Sequence, residues 1–209
     1  MKSVNVSGKM RVSTGSRPNG EPGPGKALEE RVPYRATSLS SAYQGIDHLP
    51  VSVILYDVRS LYNVGSFFRT ADAAGIEMLI LSGITGRPPS RQIAKTALGA
   101  ERAVRWQGCD EPARLVVQMR ARGYEIAAIE TSLRAVDLFD WRPRYPVCVI
   151  FGHEVEGLGR ELLDLCDTHV RIPMLGKKHS LNVATAGGVV LYELLRKYRR
   201  LIQEGGGGT

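Results

Sequence analysis

Three segments of this 209-residue chain carry groups whose types and spacing could do chemistry: Asn63 with Arg69 six residues on, FGHEVEGLG at 151–159, and IPMLGKKHSLNVATAGG at 172–188. Read alone, the first is a helix with Asn63 as its N-cap and Arg69 on a solvated face, paired with Asp72 three residues on. The second places Glu154 and Glu156 in a loop where Gly152 and Gly157 permit close backbone approaches that a Cβ would obstruct. Its carboxylates suit a cationic ligand, or equally the N-terminus of the following helix. In the third, Ser180 and Asn182 could hydrogen-bond a polar ligand while Lys177 and Lys178 hold phosphates. The competing reading is that Ser180 or Asn182 caps the next helix and Lys177, Lys178 and His179 form a solvated basic turn.

Such loops cooperate only if strands bring them together. Apolar runs at 51–58, 76–81, 124–129, 147–151 and 169–172 read as strands. Between them, Val64, Phe67, Phe68, Ala71 and Ala74 recur at helical spacing, and Glu111 and Pro112 open a helix that buries Leu115, Val116 and Met119 and stops at Gly123. Two more helices are predicted near 158–165 and 181–200, the last crowded at its end by Arg196, Lys197, Arg199 and Arg200. Strand and helix therefore alternate, which predicts an α/β fold: a mainly parallel sheet with helices on both faces and ligands at the carboxyl ends of the strands. A near match to a phosphate-binding loop at Gly20, Gly25 and Lys26 is excluded. Ala27 replaces the metal-binding hydroxyl, Pro22 and Pro24 remove backbone donors, and no strand precedes it.

Taken together, Asn63 with Arg69, the FG-x-E-x-x-G loop from Phe151, and IPM with the following SLN resemble the three ordered motifs of the SPOUT superfamily. Within it, the pattern is similar to the TrmH/SpoU family of RNA 2′-O-ribose methyltransferases, over roughly residues 51–200, and KTALGAE at 95–101 shares the likeness. The resemblance implies a C-terminal trefoil knot, although threaded connections are otherwise very rare. It also implies a homodimer whose active site draws on both chains. S-adenosylmethionine would sit bent in the knot, contacted largely by backbone at Thr131, Gly152, Ile172, Met174 and Leu181, with Gly157 closing the same loop. Arg69 would stand at the reacting oxygen, and Asn63, Glu154, Ser180 and Asn182 would orient it, the ribose and the methionine moiety. The RNA, tRNA or rRNA, would be held by Arg69, Lys177 and Lys178. The alternative from another class is a noncatalytic knotted module for RNA binding or assembly.

Composition narrows the setting. Hydrophobic residues make up 43% and charged residues 23%, which argues against a chain disordered throughout. The formal charge of +7 favours a polyanionic partner. Cys109, Cys148 and Cys166 are odd in number and widely spaced, so neither a disulfide framework nor a metal site is expected. No apolar run approaches the roughly 20 residues that span a bilayer, and no signal-peptide core is expected at the N-terminus. The expectation is a reduced, cytoplasmic protein without membrane association. Residues 1–46, rich in Gly, Pro, Ser and scattered Lys and Arg, read as a flexible basic arm that contacts RNA or is a solvated tail. Residues 47–202 read as the SPOUT domain and 203–209 as a flexible glycine-rich tail.

Overall fold

Residues that alternate in sequence alternate between two cores. A computed structural model describes residues 36–153 and 156–205. In β1 (Leu49–Tyr56), Val51, Val53 and Leu55 enter one core while Ile54 enters the other. In β6 (Val147–Phe151), Val147, Val149 and Phe151 divide from Cys148 and Ile150 in the same way. A strand buried on both faces is what a parallel sheet covered by helices requires. The sheet has the order β3-β2-β1-β6-β4-β7-β5, with every pairing parallel. Its other strands are β2 (Ile76–Ser82), β3 (Trp106–Cys109), β4 (Glu125–Ile129), β5 (Val136–Asp137) and β7 (Thr168–Arg171).

On one face lie α2 (Leu61–Ala74), α3 (Arg91–Ala97), α4 (Ala100–Ala103) and α7 (Val183–Gly205); on the other lie α5 (Pro112–Ala121) and α6 (Arg160–Asp164). Phe67 of α2 meets Phe151 at the end of β6 edge-on, with ring centroids 5.1 Å apart. A Cβ at Gly187 of α7 would run into the Phe67 ring, so α2, α7 and the β6 end converge closely at this point. Within the span read as an arm, residues Ala36–Leu39 (α1) and Ser41–Tyr43 form short helical turns, and α7 continues to Gly205.

Two capping expectations resolve differently. The N-cap of α2 is Ser60, whose side chain accepts from the Asn63 N–H at 3.3 Å, so Asn63 lies inside the first turn rather than before it. Asn182, by contrast, does cap α7: its Oδ1 accepts from the Ala184 N–H at 2.9 Å and the Thr185 N–H at 3.4 Å.

Glu125, at the start of β4, is 4% exposed. Its carboxylate accepts from the Trp141 indole at 3.0 Å, the Thr168 hydroxyl at 2.8 Å and the Arg144 N–H at 2.6 Å, joining β4 to β7 and to the segment that leads into β6. Glu125→Ala strands these donors, so we expect a loss of about 3 kcal/mol, read as a lowered urea midpoint. A loss under about 1 kcal/mol, the scale of one ordinary hydrogen bond, would show that the donors find other partners.

Candidate active site

The carboxyl ends of β4, β6 and β7, with the loop into α7, enclose a cavity of about 230 Å³. Thr131, Gly152, Gly157, Ile172, Met174 and Leu181, drawn from three separate loops, all line it. The loop after β6 turns back on itself. The His153 N–H donates to the Gly157 carbonyl at 3.1 Å, and the Gly157 N–H donates to the His153 carbonyl at 2.9 Å. A Cβ at Gly152 would stand 2.5 Å from the Gly157 carbonyl carbon and 2.8 Å from the Leu158 nitrogen. Gly157 adopts a φ of 68°, and a Cβ there would collide with the Glu130 carboxylate. Both glycines are therefore dictated by space, and backbone groups form that wall.

Glu130 is the lining residue that motif reasoning missed. Its carboxylate accepts from the Thr131 N–H at 2.9 Å and from the Leu158 N–H at 3.2 Å, tying the β4 exit to the glycine loop. The signal was its position directly after the apolar run of β4, at the carboxyl end of a parallel strand. Beneath the same loop, the Ser132 hydroxyl lies 2.8 Å from His169 Nδ1, and His169 Nε2 lies 3.1 Å from the Leu163 carbonyl. With Nε2–H donating to that carbonyl, Nδ1 is left to accept from the serine, which fixes the base of the loop.

The expected catalytic residues are brought together only in part. Ser180 lines the cavity. The Asn182 Nδ2 donates to Asn63 Oδ1 at 3.2 Å, so these amides join the start of α2 to the start of α7. Arg69 is exposed on α2 and is not among the cavity-lining residues; the expected pairing with Asp72 is not formed. Glu154 lies outside the described residues. The Glu156 N–H donates to His153 Nδ1 at 3.1 Å, so that residue's backbone supports the turn. Lys177 and Lys178 are exposed on the loop before α7.

The basic end of α7 is not the open cationic surface that its sequence suggests. Arg196 binds Glu193 through two contacts of 2.7 Å, which hold the Glu193 carboxyl below its usual range. Lys197 donates to the carbonyls of Leu138, Phe139 and Trp141, and burial pushes its ammonium below the usual lysine range. Arg199 stacks 5.3 Å over the Tyr43 ring. Only Arg200 of the four remains exposed.

The three cysteines are free, and burial pushes the Cys148 thiol up. Among the described residues no cluster could hold a metal ion, and no helix is long and apolar enough to cross a membrane.

Residues 50–192 match the model of the SpoU rRNA Methylase family. The 23S rRNA (guanosine-2′-O-)-methyltransferase RlmB of Ralstonia nicotianae is 32% identical over 162 residues, covering 78% of this chain and 65% of that one. Among solved structures, the A. aeolicus TrmH/SpoU tRNA modifying enzyme superposes with a TM-score of 0.67 at 26% identity, over 76% of this chain and 78% of that one. The AdoMet-bound rRNA methyltransferase from Sinorhizobium meliloti superposes with a TM-score of 0.66 at 33% identity, over 70% and 56% respectively. The chain spans about three-fifths of the length of the first curated relatives that it matches. The parallel sheet agrees with these superpositions, the family model covers most of the chain, and the chain belongs to the SpoU rRNA Methylase family.

Proposed function

We propose that this chain is an S-adenosylmethionine-dependent RNA methyltransferase that modifies a ribose 2′-hydroxyl of tRNA or rRNA. The observation that carries the reading is the cavity: six positions from three loops meet there, and at Gly152 the backbone packs so closely that a Cβ is excluded. Such a wall, made of backbone groups and small apolar contacts, fits a bent nucleoside-bearing ligand. When bound, S-adenosylmethionine supplies a sulfonium-borne methyl, which the ribose oxygen takes as the C–S bond breaks, its electron pair staying on sulfur and the hydroxyl proton being released.

Thr131, Gly152, Gly157, Ile172, Met174 and Leu181 hold the donor in this account. The Asn63–Asn182 pair sets the mouth of α7, with Ser180 beside it in the cavity wall. The family resemblance assigns Glu154, which lies outside the described residues, to the same orienting role. A guanidinium remains protonated at any pH at which proteins work. Arg69 therefore acts as a clamp on an RNA phosphate and stabilises the alkoxide as it develops, rather than taking the proton. Arg69 does not line its own chain's cavity, and its supply by a second copy, in a homodimer with shared sites, belongs to the same proposal. Lys177 and Lys178 add phosphate contacts. The trefoil threading belongs to the same reading, with β6 lying between β1 and β4 although it follows both in sequence.

Calorimetry with S-adenosylmethionine, run beside light scattering, tests this reading. We expect one donor site per chain in a dimer. Tight binding of nucleoside triphosphates without donor binding, or a monomer active in transfer, would contradict it.

A further inference from the structure

The cavity wall has an uneven charge. Among its described lining residues Glu130 is the single carboxylate, and Arg171, His153 and His179 line the same cavity. Its side chain is half-buried and fixed from two directions, by the Thr131 N–H at 2.9 Å and the Leu158 N–H at 3.2 Å. It cannot swing away without releasing both loops. These two donors hold the carboxylate in place at the wall.

We propose that Glu130 is a specificity-determining residue that selects the cationic methyl donor over its neutral demethylated product. The inference rests on the donor reading above. Transfer removes a methyl group and with it the sulfonium charge, while the adenosine and amino-acid portions are unchanged. Everything the pocket does for those shared portions applies to both molecules alike, whereas Arg171, a fixed cation in the same lining, opposes the sulfonium alone. The charge difference is felt only by the wall's fixed charges, and Glu130 supplies the attractive one. A unit charge held in the same partly solvated cavity as a fixed carboxylate is favoured by roughly tenfold. Product would then leave more readily than donor, and each turnover would end with a ligand that the pocket no longer holds by charge.

The test is calorimetric titration of the full chain with S-adenosylmethionine and with S-adenosylhomocysteine, for wild type and Glu130→Gln, with unliganded melting temperatures alongside. Wild type is expected to bind the donor about tenfold more tightly than the product. In Glu130→Gln both ligands weaken through the loosened Thr131 and Leu158 contacts, but the preference falls to about one or below, because Glu130 no longer attracts the sulfonium while Arg171 stays in the lining. A purely structural residue would weaken both and leave the ratio unchanged. That result would overturn the proposal, as would equal affinities in the wild type. Wild type that binds neither ligand would overturn the donor reading and this inference with it. If Glu130→Gln does not fold, Glu130→Asp serves instead. It keeps the charge but withdraws it by a methylene, and a preference as large as wild type's would contradict the assignment.

Discussion

Arg69→Ala is expected to reduce methyl transfer by roughly a thousandfold while leaving S-adenosylmethionine affinity nearly intact, because removal of a group that stabilises developing charge costs about 100- to 1,000-fold. The separation follows from the geometry. Arg69 stands on the exposed face of α2, away from the cavity-lining set, so its loss disturbs neither the donor wall nor the core. Stability should change by no more than about 0.5 kcal/mol, as for most exposed positions. Arg69→Lys keeps the charge but not the planar fork that grips phosphate in two places, so it should recover only part of the rate. Single-turnover transfer and donor calorimetry on the same preparations check both halves. A large loss of donor affinity in Arg69→Ala would mean that the side chain reaches a donor site, and the assigned division of labour would fail.

The second large effect is expected at Gly152. In Gly152→Ala the new methyl would meet the Gly157 carbonyl carbon at 2.5 Å and the Leu158 nitrogen at 2.8 Å, backbone atoms that cannot rotate aside. The turn must open, at a cost of about 1–3 kcal/mol in stability. Opening it displaces the wall formed by Gly157 and the Glu130 clamp, and donor affinity should fall by about a hundredfold or more, the scale of a misplaced site wall. Gly159→Ala is the matched control. It lies two residues beyond the turn with ordinary backbone angles, and nothing lies within 4 Å of its added Cβ. Melting temperatures and donor titrations of the two variants should diverge sharply. Equal behaviour would show that the close packing at Gly152 does not shape the donor wall.

The same physical features explain what could be read from the sequence. The run at 147–151 coincides with β6 because five consecutive apolar residues can be buried on both faces only in the middle of such a sheet. β3 and β5 escaped notice for the opposite reason. Trp106–Cys109 contains Gln107 and Gly108 on a sheet edge, and Val136–Asp137 has two residues, too few to show any period. α3 and α4 were also missed, because short segments with one or two buried residues each carry little amphipathic signal. At the site, the glycines and the IPM and SLN segments were legible through their types and order. Glu130 was not, because a lone acidic residue after a strand resembles any loop carboxylate until the Leu158 N–H is seen to approach it. The basic end of α7 misled in the other direction. Charge counted along a sequence does not reveal that Arg196 and Lys197 are occupied by Glu193 and by backbone carbonyls.

Asn182 uses both groups of its amide. Its oxygen caps α7 and its amide nitrogen reaches Asn63, so one side chain fixes the helix start and links the first and third motifs.

The central claim is transfer to a ribose oxygen, and the measurement that tests it most directly is incubation with methyl-labelled S-adenosylmethionine and, separately, total tRNA and ribosomal RNA, followed by nuclease digestion and identification of the labelled nucleoside. The account predicts label in a 2′-O-methylated nucleoside from one of the two pools, and the pool names the substrate class. Label on a base, or a chain that binds donor and RNA yet transfers nothing to either pool, would contradict it, the latter result favouring the noncatalytic module.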